Sequence, residues 1–309
     1  MIVELDGVTI EYGDRVAVAG VSVAFGAGAT GLLGRNGAGK SSILKALLGL
    51  VRPSRGRMRI LDLPADADPA VVRARVGYMP EREAHLPNCT GFQMVSLLGM
   101  LSGMPRRDAW RRAHEVLYLV GLEEERYRLV AGYSAGMRQK CKLAAALVHD
   151  PQVLFLDEPT NGLDPAGRED MLRLVRELST TLGKSVVLST HILQDVESVC
   201  DTVVVLEQGR VVANGPLREL TRAQQNRFAV AIEPVDLNLP EQLAGGIRLQ
   251  RDGGGCYTAW LAATDSPQGL FAAVLAAGGT VRSLVPHRRS LEEVFLQAVG
   301  NGGRRPQQP

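Results

Sequence analysis

Apolar residues in this chain gather in short unbroken runs. Val153-Leu154-Phe155-Leu156, Val186-Val187-Leu188 and Val203-Val204-Val205-Leu206 show no polar position in alternation. A strand covered on both faces reads this way, because neither set of alternate side chains meets water. Between such runs lie helical stretches. Pro165 to Leu182, for example, opens on proline and stops at Gly183, the start and stop signals of a helix. Alternating strand and helix gives an α/β class with a parallel sheet.

The pattern changes twice. From about Cys89 to Val148 strong strand runs disappear and three helical pieces take their place, near Phe92–Leu101, Arg106–Val120 and Ser134–Val148. This predicts an all-helical insertion in an α/β domain spanning residues 1–221. Residues 222–299 read as a small α+β domain. Strands at Phe228–Ile232 and Tyr257–Leu261 precede a helix at Gln268–Ala277, a strand at Val281–Val285 and a helix at Leu291–Val299. Ser290-Leu291-Glu292-Glu293 is a capping box for that last helix. Residues 300–309 are expected to be a disordered tail, and no internal repeat is visible.

Composition narrows the class. At 309 residues the chain has room for one large domain or two ordinary ones. With 45% hydrophobic and 22% charged residues it is a folding sequence and not a disordered one. A net charge of +2 gives no reason to expect a nucleic-acid partner. Cys89, Cys141, Cys200 and Cys256 are widely spaced and form no CxxC pair, which removes zinc and redox motifs and points to a reducing interior. The acidic start lacks the look of a secretory signal, and no apolar stretch nears the ~20 residues of a membrane span. A cytoplasmic chain follows, unless a partner holds it at a membrane.

Glycine is enriched, at 34 residues, and part of that excess is chemical. Gly34-Arg35-Asn36-Gly37-Ala38-Gly39-Lys40-Ser41 fits G-x-x-x-x-G-K-[ST] and is followed by Ser42, between a strand at Thr30–Leu33 and a helix running to Leu50. Side-chain-poor residues let backbone N–H groups converge on phosphate oxygens, and the helix start adds its positive dipole end. Lys40 adds a full charge, worth about 4 kcal/mol for a unit pair at 4 Å and a dielectric near 20. Ser41 offers a hydroxyl to Mg2+. Downstream, Val153-Leu154-Phe155-Leu156 ends in Asp157-Glu158. Beside the loop, Asp157 would hold magnesium directly or through water. Glu158 would orient or deprotonate the attacking water.

These motifs together resemble an ATP-binding cassette (ABC) ATPase over roughly residues 1–220. Tyr133-Ser134-Ala135-Gly136-Met137 stands where the family's LSGGQ signature lies, keeping Ser134 and Gly136 while Tyr133, Ala135 and Met137 replace Leu, Gly and Gln. The resemblance implies a P-loop NTPase fold, ATP and Mg2+ as cofactors, and a head-to-tail dimer. In that dimer Ser134 and Gly136 meet the γ-phosphate held by the second copy. By the same resemblance Tyr12 stacks on adenine, a core tyrosine being the alternative. Glu81 stands at the Q-loop position in place of glutamine and ligates magnesium. Asn161-Gly162-Leu163-Asp164 is the D-loop, placing Asp164 at the dimer interface, and His191 is the switch histidine sensing the γ-phosphate.

What the resemblance implies is ATP hydrolysis driving transport, of the bacterial exporter type, through separate permease subunits that hold the chain on the cytoplasmic face of the membrane. Helical spacing makes most of Met94, Val95, Leu97, Leu98, Met100, Leu101 and Met104 core, with some reaching the permease. The 222–299 unit resembles the appended domain of exporter subunits. A non-transport ABC ATPase is the alternative; a translation factor of the family carries two cassettes and a DNA-maintenance member a long coiled-coil insertion, and neither feature is present. A subunit that binds but barely hydrolyses ATP is the other, which Glu158 argues against. His85, His114, His149 and His287 have no motif context.

Overall fold

The computed structural model describes residues 1–301 apart from 65–66, 83, 87, 238, 244–246 and 262–266, so residues 302–309 of the expected tail lie outside the described residues. Two compact units are distinguished, the first formed by Met1–Leu217 with the segment from Gln297 onward, the second by Arg218–Leu296.

The first unit opens with an antiparallel hairpin, β1 (Val3–Tyr12) and β2 (Arg15–Phe25). There follow β3 (Ala29–Leu33), α1 (Lys40–Leu47), β4 (Arg55–Ile60), β5 (Leu63–Pro64), α2 (Pro69–Arg73) and β6 (Val76–Met79). A helical stretch, α3 (Gly91–Leu101), α4 (Arg106–Leu119) and α5 (Ala135–Leu147), leads to β7 (Val153–Asp157). The unit continues through α6 (Pro165–Thr180), β8 (Ser185–Thr190), α7 (Leu193–Val199), β9 (Thr202–Glu207) and β10 (Arg210–Pro216). The helical insertion expected from the sequence corresponds to α3–α5. Thr90 and Gln93 form a reciprocal capping box that starts α3.

Two sheets result. Six strands in the order β10-β9-β3-β8-β7-β6 form the main sheet, parallel except for β10 at one edge. Its β7 and β8 are buried along their whole length, as their unbroken apolar runs require. The other sheet, β2-β1-β4-β5, is antiparallel and was not foreseen from the sequence. The reason is a change of phase. Val3 and Leu5 point inward, the register then shifts around Gly7 at φ +60°, and Val8 and Ile10 are the next buried pair. A bulge of this kind erases the period-two signal. Ile43, Leu44 and Leu47 of α1 join Val3, Leu5, Val8 and Ile10 of β1 and Phe155, Val187 and Val204 of the main sheet in one core. The phosphate-loop helix is thus held by apolar packing from both sheets, with each fully buried Leu or Ile worth ~1.5–3 kcal/mol.

The second unit has β11 (Ala223–Glu233), β12 (Arg248–Gly253), β13 (Cys256–Trp260), α9 (Gln268–Ala276) and β14 (Thr280–Arg288), with α8 (Leu217–Leu220) before them and α10 (Leu291–Asn301) after. Its sheet order is β12-β13-β11-β14, all antiparallel. Strand β12 escaped the sequence reading because among its residues only Leu249 is buried, which leaves an edge strand with no apolar pattern. Val230, Ile232, Tyr257, Leu270 and Val274 form a core of their own.

Candidate nucleotide site

Strand order explains how residues far apart in sequence meet. Strand β8 lies between β3 and β7, and its last residues brace both neighbours. Gly34 N–H donates to the Thr190 carbonyl at 3.3 Å, and Glu158 N–H donates to the Ser189 carbonyl at 2.9 Å. The phosphate loop and the carboxylate pair therefore emerge side by side at the carboxyl ends of parallel strands, where α/β sheets bind ligands.

Within the loop two glycines are sterically fixed. A Cβ on Gly34 would sit 2.5 Å from the Leu206 carbonyl oxygen, and one on Gly39 would sit 2.7 Å from that of Ala17. Gly39 also has φ +106° and caps α1 without any side-chain hydrogen bond, which leaves the first-turn N–H groups of the helix free for an anion. Tyr12, Arg15, Ala17, Arg35, Asn36, Gly37, Ala38, Gly39, Lys40, Ser41, Ser42, Glu81 and Glu158 line one cleft of 470 Å³. Arg15 and Ala17 were missed by the sequence reading; the hairpin pairing Tyr12 with Arg15 places them there. Tyr12 is 45% exposed, which rules out the core-tyrosine alternative and leaves its ring available for stacking.

At the floor of the cleft the buried Lys40 ammonium donates to the Gly34 carbonyl at 2.7 Å and lies 3.2 Å from Glu158 Oε1. The other oxygen, Glu158 Oε2, is 2.9 Å from His191 Nδ1, where a carboxylate can only accept and the imidazole N–H donates. Glu158 thus has one oxygen fixed by the histidine and the other against a cation. Its backbone sits at φ +50°, a conformation that costs a non-glycine residue about 1–3 kcal/mol and recurs where strain serves a site.

Asp157 is buried and accepts a 2.7 Å hydrogen bond at Oδ1 from Ser189 Oγ. Burial pushes the nearby Tyr78 phenol up to about 12, and the charges of Asp157 and then Glu81 push the same way. Among the described residues no group of three or more His, Cys, Asp and Glu is arranged to hold a metal ion by itself. Ser41 and Glu81 line the cleft, Asp157 is buried next to its Glu158, and all three offer only oxygen. That set suits Mg2+, a hard ion that keeps waters and phosphate oxygens in its shell and needs few protein ligands.

Ser134, Gly136 and Asp164 are not brought to the phosphate loop. They line a second cleft of 440 Å³ that shares no residue with the first. Ser134 caps α5, its Oγ accepting from Met137 N–H at 3.2 Å, and Asp164 caps α6, its Oδ1 accepting from Gly167 N–H at 3.0 Å. Gly136 faces open space, with nothing closer than 4.0 Å to a Cβ. Helix α5 is tied to neighbouring loops by two buried side chains. Gln139 Nε2 donates to the Asn161 carbonyl at 3.0 Å, and Lys142 Nζ donates to the Pro80 carbonyl at 2.8 Å.

Comparison with known proteins agrees with this geometry. The ABC transporter family profile matches residues 18–161. The daunorubicin/doxorubicin resistance ATP-binding protein DrrA of Streptomyces peucetius is 33% identical over 310 residues, covering 97% of this chain and 92% of its own. The Nod factor export ATP-binding protein I of Bradyrhizobium diazoefficiens is 37% identical over 216 residues, 70% of each chain. A dimeric post-hydrolysis structure of the ATP-binding cassette MJ0796, bound to ADP and Pi, superposes with a TM-score of 0.64 at 25% identity, covering 70% of this chain and 99% of that one. With its phosphate loop, carboxylate pair and histidine assembled on a P-loop NTPase sheet, this chain belongs to the ABC transporter family as an ATP-binding subunit and is an ATPase.

Proposed function

We propose that the chain powers export through separate permease subunits, working as a head-to-tail pair of its own copies with ATP and Mg2+ bound at two composite sites. The observation that carries this reading is the separation of the two clefts. One chain has Lys40 and Glu158 in the phosphate-loop cleft, with His191 bonded to Glu158, while Ser134, Gly136 and Asp164 line a different cleft. A second copy, turned head to tail, lets each nucleotide use both. The dimeric likeness with ADP and Pi supports the same arrangement.

In each site Lys40 and the first-turn N–H groups of α1 hold the triphosphate, and Tyr12 stacks on the base. Bound Mg2+, held by Ser41 and Asp157 with Glu81 nearby, would neutralise phosphate charge. Glu158 takes a proton from the attacking water as its oxygen bonds to the γ-phosphorus. The bond to the bridging oxygen breaks and leaves ADP and phosphate. His191 Nδ1–H holds Glu158 Oε2 in place meanwhile.

Export is favoured because relatives named for drug resistance and for Nod factor export match the chain at 33% and 37% identity. No described helix is long and apolar enough to cross a membrane, and we assign the pathway to a separate permease. A permease-facing surface is offered by the helical segment, where Met94 and Val95 are buried but Leu97, Leu101, Trp110 and Tyr127 are exposed. That contact would hold the chain on the cytoplasmic face of the membrane. The 222–299 unit, which builds a core of its own, is assigned a supporting role in dimerisation or regulation.

The composite site is tested by mixing two inactive variants, Lys40→Ala and Ser134→Ala, with the permease present. Each heterodimer of the two contains one intact site, so turnover returns on mixing. Failure to regain turnover, with both variants folded and dimerising, overturns the head-to-tail reading. Export is tested with purified membranes: cargo must leave the cytoplasmic side only when ATP and the matched permease are present.

A further inference from the structure

Asp195 is a buried acid that the chemistry above does not use. It lies in the first turn of α7, is 0% exposed, and receives donors from two other elements. Thr160 Oγ1 donates to Oδ2 at 2.6 Å, and Arg168 Nε of α6 donates to Oδ1 at 2.7 Å. A carboxylate taken fully out of water is costly unless its oxygens are bonded, and an apolar side chain would fill this place more cheaply. What sets the position apart is what its partners are joined to. Thr160 follows Glu158 by two residues, and His191 precedes Asp195 by one helical turn's length of chain. With His191 Nδ1 bonded to Glu158 Oε2 at 2.9 Å, the path closes into a ring: Glu158, Thr160, Asp195, His191 and back to Glu158.

We infer that Asp195 is a positioning residue for hydrolysis, because this ring fixes the Glu158–His191 pair and, through Arg168, ties it to the D-loop helix. Glu158 needs such a restraint. Its φ of +50° is a conformation that a glutamate leaves when its surroundings allow it. The ring holds the chain after the base through Thr160, while the backbone N–H of Glu158 itself is held by the Ser189 carbonyl. Arg168 gives the ring a second role. It stands one turn into α6, its N–H donating to the Asp164 carbonyl at 2.9 Å, and Asp164 caps that helix from the D-loop. Displacement of the D-loop at a dimer interface is therefore passed to the water-activating pair through two hydrogen bonds of one carboxylate.

This inference rests on the assignment of Glu158 as base and His191 as its partner. The decisive variants are Thr160→Val, which keeps shape and removes the hydroxyl, and Thr160→Ser, which restores it. Asp195→Asn is measured beside them, alone and combined with Thr160→Val. The readouts are kcat, KM for MgATP, ATP affinity and melting temperature, on the chain assembled with its permease. Thr160→Val is expected to lower kcat by at least roughly tenfold, toward the ~10²-fold loss that a misplacement of about 1 Å produces, with KM and ATP affinity unchanged. Thr160→Ser recovers kcat, and the double variant is little worse than Asp195→Asn alone, as one network requires. A lower melting temperature with kcat per folded molecule intact would make Asp195 a staple of the fold and overturn the inference, as would kcat and ATP affinity falling together. Glu158→Gln, run in parallel, separates the two levels. If it abolishes turnover while Thr160→Val does not, only the inference fails; if it leaves turnover intact, the base assignment fails and the inference with it.

Discussion

Replacing Glu158 by glutamine removes a charge at almost constant shape, and the geometry predicts opposite effects on binding and chemistry. Glu158 Oε1 lies 3.2 Å from Lys40 Nζ with both side chains about 95% buried. At an effective dielectric near 20 that pair is worth about 5 kcal/mol of attraction. This energy holds the lysine on the acid and away from phosphate. Losing it releases Lys40, and the amide also repels a triphosphate less. If only a fifth of the attraction reappears as affinity, the gain is about 1 kcal/mol, roughly a fivefold lower Kd for ATP. Chemistry moves the other way. A positioned base contributes 10²–10⁴ in rate, so the barrier should rise by about 3–5 kcal/mol. The assay pairs phosphate release at saturating MgATP with equilibrium titration of a fluorescent ATP analogue. Tighter binding with turnover down at least a hundredfold is the expected result. Unchanged turnover removes Glu158 from its role. Weaker ATP binding would refute the picture of an acid that competes with phosphate for Lys40.

Three other outcomes follow from the same structure. Tyr12→Ala should weaken ATP binding by about 1–3 kcal/mol through lost stacking while Tyr12→Phe stays near wild type; equal affinity for all three in a nucleotide titration would leave the exposed ring without that role. Leu44→Ala hollows the core between the two sheets beneath the phosphate loop and should cost about 2–5 kcal/mol in a denaturant titration; a loss below ~1 kcal/mol would mean α1 is not braced as described. For His149, burial lowers the imidazole pKa below its usual 6.5, against the opposing pull of its 3.2 Å contact with the Val76 carbonyl. The unfolded chain then takes up a proton first as pH falls. The stability this histidine confers is complete above pH 6.5 and is lost as pH drops below it. Melting temperature measured from pH 8 to 5 should fall less steeply for His149→Gln, and identical slopes would contradict the shift.

Some of this protein was legible from local chemistry alone. The glycine pattern from Gly34 to Ser41 and the acid pair closing Val153–Leu156 stand out because a backbone cradle and a carboxylate pair at a strand end need particular residues at particular spacings. Runs buried on both faces are equally plain, since β7 and β8 have no solvent side to encode. The antiparallel sheet was hidden by the bulge around Gly7, and β12 by its exposure at an edge. Which residues meet was a tertiary matter. Nothing in the sequence says that Arg15 and Ala17 share the cleft of Lys40, that Ser189 bonds Asp157, or that Asp195 gathers Thr160 and Arg168. The first depends on the β1–β2 hairpin, and the others on β8 lying beside β7, which sets the end of one strand against a loop far from it along the chain. Sequence fixes the chemical groups through local valence and conformation; strand order and packing set the distances between them, and hydrogen bonds and charge pairs are decided by distance.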